Sequence, residues 1–278
     1  MVFLPLCLLL LGGNGLEEAA ARAMDGRTGT VAVIDIASGR LLAAHRPDIA
    51  ARRLAKPGST LKPFTAASLL SSGAAKSGST VVCRRELRIG GRRLDCAHPE
   101  SPEPMTAAVA IAYSCNSYFA NMALRLDARE FTASLRRAGL ASGDVAGVVR
   151  EAAGAEARQL QALGEANVLV TPLGLLGAYR RLALDAALHP VVREGLEDCV
   201  RFGTGQLAGT GTLRVAGKTG TATNDDRTYT HGWFVGYAPA AKPEIVVVVF
   251  IERGQGGADA APVAGEVFAA WERLRRKR

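Results

Sequence analysis

Between Glu244 and Glu252 the chain runs Ile-Val-Val-Val-Val-Phe-Ile without one polar residue. An unbroken β-branched run of this length reads as a strand buried on both faces. Such a strand needs neighbours along its edges and cover above and below, so the chain must build a sheet with helices packed on it. Other strand-like segments sit near the two ends. Thr30 to Ile36, a turn at Ala37-Ser-Gly-Arg40, and Leu41 to Ala44 read as a β-hairpin. Leu213 to Thr223 and His231-Gly-Trp-Phe-Val-Gly-Tyr-Ala238 read as two further strands. The middle is helical in pattern, with helices expected over about 59–70, 105–113, 117–126, 129–138, from Pro172, and over 191–202. Residues 141–157 are small and polar and read as loops and short turns, and a last helix runs from Pro262 to the end. The expected fold class is α/β in the α+β sense: an antiparallel sheet flanked by helices, with an inserted all-helical lobe. Its expected boundaries are a sheet lobe of 27–58 and 203–278 around a helical lobe of 59–202, one domain over 24–278.

Hydrophobic residues make up 48% of the 278, enough for a sizeable core and against a disordered chain. The net charge of +8 comes mostly from scattered arginines. The one tight cluster, Arg273 to Arg278, reads as a solvated helix end whose cations complement the dipole. An anionic wall or membrane surface suits this balance, and nucleic acid is not expected as a partner. Val2 to Leu11 is almost wholly apolar, too short for a spanning helix of roughly 20 residues but the length of a signal-peptide core. Ala21-Arg-Ala23 offers a small-x-small cleavage site, so residues 1–23 are expected to be a leader or anchor and the protein exported, to the periplasm or the outer face of the cytoplasmic membrane. No basic residue precedes the apolar run, and the alternative is a buried N-terminal helix.

Cys83 and Cys96 flank a stretch that reads as a hairpin turning near Gly90-Gly91. A four-residue loop, Arg88 to Gly91, sets the two cysteines opposite each other and predicts a disulfide in an exported protein. The rival is a metal site of Cys83, Cys96 and His98, which shows no fourth ligand and no zinc-like spacing. Cys115 and Cys199 read as small buried hydrophobes, and neither a metal nor a cofactor is expected.

Three short motifs carry chemistry. Ser59-Thr-Leu-Lys62 opens a predicted helix, where residues i and i+3 share a face, so the hydroxyl and the amine can meet. A serine is a weak nucleophile until a base takes its proton, and a lysine serves as that base only when its pKa is pushed down. Ser114-Cys-Asn116 sits at a break between helices, where a hydroxyl and an amide can relay a proton and bind a carbonyl. Lys218-Thr-Gly-Thr221 lies on a predicted strand. There Lys218, Thr219 and Thr221 can hold a carboxylate, and Gly220 allows close backbone approach. Each motif alone is weak: by itself Ser59 reads first as a helix N-cap beside an exposed lysine, and Lys76-Ser-Gly78 is a decoy in a loop.

Together, once each and in order on helix, turn and strand, they are strong. The set resembles that of serine β-lactamases and penicillin-binding proteins. The resemblance to the transpeptidase domain of penicillin-binding proteins runs from about Thr30 to Phe268. It is carried by Pro57-Gly-Ser-Thr-Leu-Lys-Pro-Phe64, Ser114-Cys-Asn-Ser-Tyr-Phe119, Leu163 to Leu173, Gly217-Lys-Thr-Gly-Thr-Ala222 and Trp233 to Pro239. The cysteine hairpin also has counterparts in that family. The resemblance implies Ser59 as the acylated nucleophile and Lys62 as its general base. It implies Ser114 as proton shuttle to the leaving group and Asn116 as the holder of Lys62 and the substrate amide. Lys218 is implied to set the local field, Thr219 and Thr221 to bind the terminal carboxylate, and the N–H groups of Ser59 and Thr221 to form the oxyanion hole. The implied partners are the D-Ala-D-Ala end of a peptidoglycan stem peptide and β-lactams.

Two departures leave the reaction open. Only 58 residues precede Ser59, so no glycan-polymerising or docking module is expected ahead of it, and Ala166 stands where the family has Gly. Transfer to an amine (transpeptidase) or to water (carboxypeptidase) is the favoured reading. A β-lactamase and a non-catalytic sensor share the motifs. Against the former stand Ser-Cys-Asn in place of the Ser-x-Val of class D enzymes and the wrong spacing of Glu165-Ala-Asn167 for a class A element.

Overall fold

The computed structural model describes residues 13–99, 104–141 and 147–277. The chain opens with α1 (Gly13–Met24), the hairpin β1 (Gly29–Asp35) and β2 (Leu41–His45), and α2 (Pro47–Arg52). A 3₁₀ turn, Gly58–Leu61, leads into α3 (Lys62–Ser71). Next come the short strands β3 (Arg88–Ile89) and β4 (Arg92–Arg93), then α4 (Ala107–Ala112), α5 (Asn116–Ala123) and α6 (Ala128–Arg137). After β5 (Gly147–Val149), α7 (Gly154–Ala162) and β6 (Val168–Val170) follow α8 (Pro172–Leu184) and α9 (Pro190–Arg201). The chain closes with β7 (Ala216–Thr223), β8 (Thr230–Ala238), β9 (Ile245–Ile251) and α10 (Ala261–Arg275).

The main sheet has the order β2-β1-β9-β8-β7, antiparallel throughout. The apolar run is β9, the central strand. Its side chains alternate between two cores, as the strand period of two requires. Ile245, Val247, Val249 and Ile251 join Val31, Val33 and Phe234 under α1 and α10. Val246, Val248 and Phe250 join Ala32, Trp233 and Val235 against the helical side, which includes Leu61, Phe64 and Tyr179. Each such fully buried side chain contributes on the order of 1.5–3 kcal/mol, which explains why seven in succession are apolar. The edge strand β7 is left to face the helices, and this places its Lys-Thr-Gly-Thr segment at the junction of sheet and helices.

The sheet and helices therefore follow the expected class, and several local expectations change. Residues 147–149 form a strand and Gly154–Ala162 a helix where loops were expected. The reason is non-local: β5 gains its ladder from Val168–Val170, a partner that no local pattern announces. The leader expectation for residues 2–11 lies outside the described residues. Gly13–Met24 is helical, with Leu16, Ala20, Ala23 and Met24 buried against α10 and the sheet. The small-x-small triplet thus lies within a packed helix. Among the described residues no helix is long and apolar enough to cross a membrane. At the basic C-terminal end, Arg275 pairs with Glu244 and Arg276 with Glu272.

The cysteine hairpin turns differently from the expectation. Gly90 and Gly91 have φ of 52° and 73°, both left-handed, so they form a two-residue loop of the type I′ kind rather than a four-residue one. Arg88 then faces Arg93, Cys96 N donates to Arg85 O, and the two cysteines are out of register. Cys83 and Cys96 are both thiols, so the expected disulfide is not formed.

Candidate active site

Ser59 lies in the 3₁₀ turn, whose backbone is pressed against β7. A Cβ on Gly220 would sit 2.7 Å from Pro57 O and 2.8 Å from Thr60 Cγ2. Gly58, at φ 53°, would bring a Cβ to 2.9 Å from Thr221 O. Glycine at both positions is what lets the turn and the strand touch. Gly58 N donates to Gly164 O at 3.0 Å, and Trp233 Nε1 donates to Lys56 O at 3.0 Å, so the turn is anchored from two sides. Ser59 and Thr221 are thereby brought to one seam.

Lys62 follows one helical step later, and its N–H donates to Ser59 O. Its side chain is fully buried. Nζ donates to Ser114 O and to Asn116 Oδ1, both at 2.6 Å, with Ser114 Oγ at 3.2 Å. A neutral amine has two hydrogens and one lone pair. Two carbonyl oxygens occupy the hydrogens, and the lone pair is left to accept a hydroxyl proton. Burial, and then the nearby Lys218 cation, push the Lys62 pKa down to about 7. Lys218 is itself buried and lowered for the same first reason.

Ser114 holds φ 59°, a left-handed conformation uncommon outside glycine, between α4 and α5. Backbone strain of this kind costs of order 1–3 kcal/mol. It is retained where it turns both the carbonyl and the hydroxyl of Ser114 toward Lys62. Asn116 opens α5, and its Nδ2 donates to Leu94 O at 3.0 Å and Asp95 O at 3.3 Å. Those two bonds fix the amide with Oδ1 toward the amine. Thr219 shares a hydrogen bond with Thr204 at 2.5 Å, and Thr221, exposed on the strand, accepts from Gly256 N at 3.0 Å. The decoy triplet Lys76-Ser-Gly78 is exposed in the loop after α3. Cavities of about 480 and 610 Å³ beside α3 and α6 contain none of the three motifs' residues, so the arrangement of groups, not cavity size, locates the site.

A family model described as the penicillin binding protein transpeptidase domain matches residues 29–270. The chain belongs to that family. Among curated relatives of this transpeptidase chain, the peptidoglycan D,D-transpeptidase MrdA of Acinetobacter baumannii is 39% identical over 100 residues, covering 31% of this chain and 15% of the relative. PbpA of Mycolicibacterium smegmatis, of the same description, is 28% identical over 77% of this chain and 54% of its own length. The chain thus spans about half or less of these relatives. The transpeptidase domain of penicillin-binding protein 3 from Burkholderia pseudomallei superposes with a TM-score of 0.82 at 21% identity, covering 95% of this chain and 94% of that one. The D,D-transpeptidase domain of a peptidoglycan glycosyltransferase from Eggerthella lenta gives 0.79 at 23% identity, with 95% and 82% covered. At these identities the structures establish the transpeptidase fold.

Two features of this transpeptidase domain escape a reading by motifs. Glu165 is buried, paired with Arg92 and hydrogen-bonded by Thr223 Oγ1 at 3.3 Å, and its charge is felt at Lys62. Arg92 comes from the hairpin and Thr223 from β7, so no spacing rule connects them. The second is the group of cysteines behind Asn116. Cys115 reads as a buried hydrophobe in sequence, yet it caps α5 by accepting from Tyr118 N at 3.4 Å and lies 3.8 Å from Cys96.

Proposed function

We propose that the domain is an active-site serine acyltransferase that attacks the D-Ala-D-Ala end of peptidoglycan stem peptides, on the outer side of the cytoplasmic membrane, and that β-lactams acylate it at the same serine. The observation that carries this reading is Lys62, buried, lowered to about 7 and held by Ser114 and Asn116 one helical step from Ser59. In the proposed cycle the Lys62 lone pair takes the Ser59 proton, and Ser59 Oγ bonds to the carbonyl carbon of the penultimate D-Ala. The N–H groups of Ser59 and Thr221 receive the oxyanion. Ser114 passes the proton from Lys62 to the departing D-Ala nitrogen as the C–N bond breaks. Thr219, Thr221 and Lys218 hold the terminal carboxylate and set the field, with Gly220 letting the strand lie close to the peptide. An amine or water then takes the acyl group from Ser59.

A fast β-lactamase needs a base for deacylating water. Glu165 is committed to Arg92 and Thr223, which favours a long-lived acyl-enzyme instead. The test is incubation with a stem pentapeptide or its thioester analogue, with and without an amino acceptor. Release of the D-Ala leaving group, or of its thiol counterpart, that disappears in Ser59→Ala is the expected result. No release with either substrate contradicts the proposal.

A further inference from the structure

The turn 202–205 follows α9 and belongs to none of the three motifs, yet it reaches two of them. Thr204 N donates to Ala112 O at 3.1 Å, two residues before Ser114. Thr204 Oγ1 lies 2.5 Å from Thr219 Oγ1. We propose that Thr204 is a positioning residue that commits the Thr219 hydroxyl as a donor to the terminal carboxylate of the substrate. This role rests on the acyltransferase reading above and adds to it a cause of selectivity for a free carboxylate.

The chemistry turns on which oxygen gives its hydrogen. A hydroxyl has one hydrogen and two lone pairs. If Thr219 donated to Thr204, it would present only lone pairs to an arriving carboxylate, and two acceptors repel. If Thr204 donates, the Thr219 hydrogen is left for the carboxylate. The neighbours favour the second direction. Lys218 Nζ lies 3.5 Å from Thr219 Oγ1, and an ammonium can only donate. Cys199 is a buried free thiol, and its Sγ lies 3.5 Å from Thr204 Oγ1, where it supplies a hydrogen to that oxygen. Donors therefore stand in series: Cys199 to Thr204, Thr204 to Thr219, Thr219 to the carboxylate. A hydroxyl that accepts in this way is polarised into a better donor.

The backbone fixes Thr204 in this position. Gly203 N donates to Asp198 O and Gly205 N to Cys199 O, both at 2.9 Å, so the turn is tied to the end of α9. A Cβ on Gly203 would lie 2.2 Å from Ala112 O, so glycine is what lets the turn meet the end of α4. The rings of Tyr113 and Phe202 meet beside it, 5.6 Å between centres. Thr204 thus joins the segment that carries Ser114 to the strand that carries Thr219.

The test compares, on the full chain, acylation by a thioester substrate that ends in a free carboxylate and by its terminal carboxamide. Thr204→Val removes the hydroxyl at nearly constant shape, and Thr204→Ser keeps it. With the carboxylate substrate, Thr204→Val should weaken binding before acylation about tenfold, the low end of what a hydrogen bond to a charged group contributes. The acylation rate at saturation should change little. With the carboxamide the loss should be absent, and Thr204→Ser should restore the parental selectivity. In a Thr219→Val background, Thr204→Val should cost nothing further. Thr204→Ala is measured alongside, with Tm as the folding control, in case valine destabilises the turn. Equal losses on both substrates in the hydroxyl-free variants make Thr204 a structural prop and overturn the proposal. So does parental selectivity in Thr204→Val and Thr204→Ala. No acylation of the parent by the carboxylate substrate removes the acyltransferase reading and this role with it, whereas normal acylation by parent and variants alike removes this role alone.

Discussion

Lys62→Arg is expected to fold and to acylate with benzylpenicillin roughly 10²–10⁴-fold more slowly than the parent, the span that a positioned general base contributes. Arginine keeps a cation at the site but stays protonated at every working pH, so it has no lone pair for the Ser59 proton. The pH dependence separates this cause from a packing defect. In the proposed cycle acylation needs neutral Lys62, so the parental rate should rise with pH through about 7, where burial and Lys218 place the amine, and then level off. A free lysine near ~10.4 would leave only about a thousandth or less of the amine neutral at pH 7. The variant should lack this rise. Stopped-flow or quenched labelling between about pH 5 and 9, with Tm as the folding control, makes the comparison. Labelling of the variant at the parental rate, with the same pH rise, shows that Lys62 is not the base.

Ser59→Ala should form no covalent adduct at any time or concentration, because the bond to the acyl carbon is made by the deleted oxygen. The fold should survive. Ser59 is only partly buried, and the turn is held by Gly58 N to Gly164 O and by Trp233 Nε1 to Lys56 O. The proposed carboxylate-binding residues Thr219 and Thr221 are untouched, so reversible binding should persist. Intact-mass spectra and a thermal melt suffice to check both halves. An adduct of full stoichiometry on the variant would move the nucleophile elsewhere.

The features legible in the sequence are those carried by contiguous residues. The β9 run announces its own burial on both faces, and the two outer hairpin segments complete the sheet. Ser59 and Lys62 are legible because one helical step joins them. What was hidden depends on contacts between distant segments. The strand β5 exists only because β6 pairs with it. The Arg92–Glu165 pair needs the hairpin laid against the segment after α7. The cysteine hairpin departs from its expected register through one feature, the left-handed pair Gly90-Gly91, which shortens the loop. That shift takes Cys83 and Cys96 out of opposition and into a group with His98 and Cys115. The lowered pKa of Lys62 is foreseeable in direction, since a lysine that serves as a general base must lose its proton, but its burial is a product of the packed helices.

If Ser59 is the acyl-accepting nucleophile proposed for this domain, β-lactams should be trapped on it as a stable ester. Intact-mass spectrometry of the parent chain, mixed with benzylpenicillin and followed over time, tests it most directly. One adduct per chain is expected, persisting after free drug is removed, with peptide mapping placing it on the segment containing Ser59. Rapid return to the native mass with hydrolysed drug accumulating would make the protein a β-lactamase. An adduct mapping away from Ser59, or no adduct at all, would rule out Ser59 as the nucleophile.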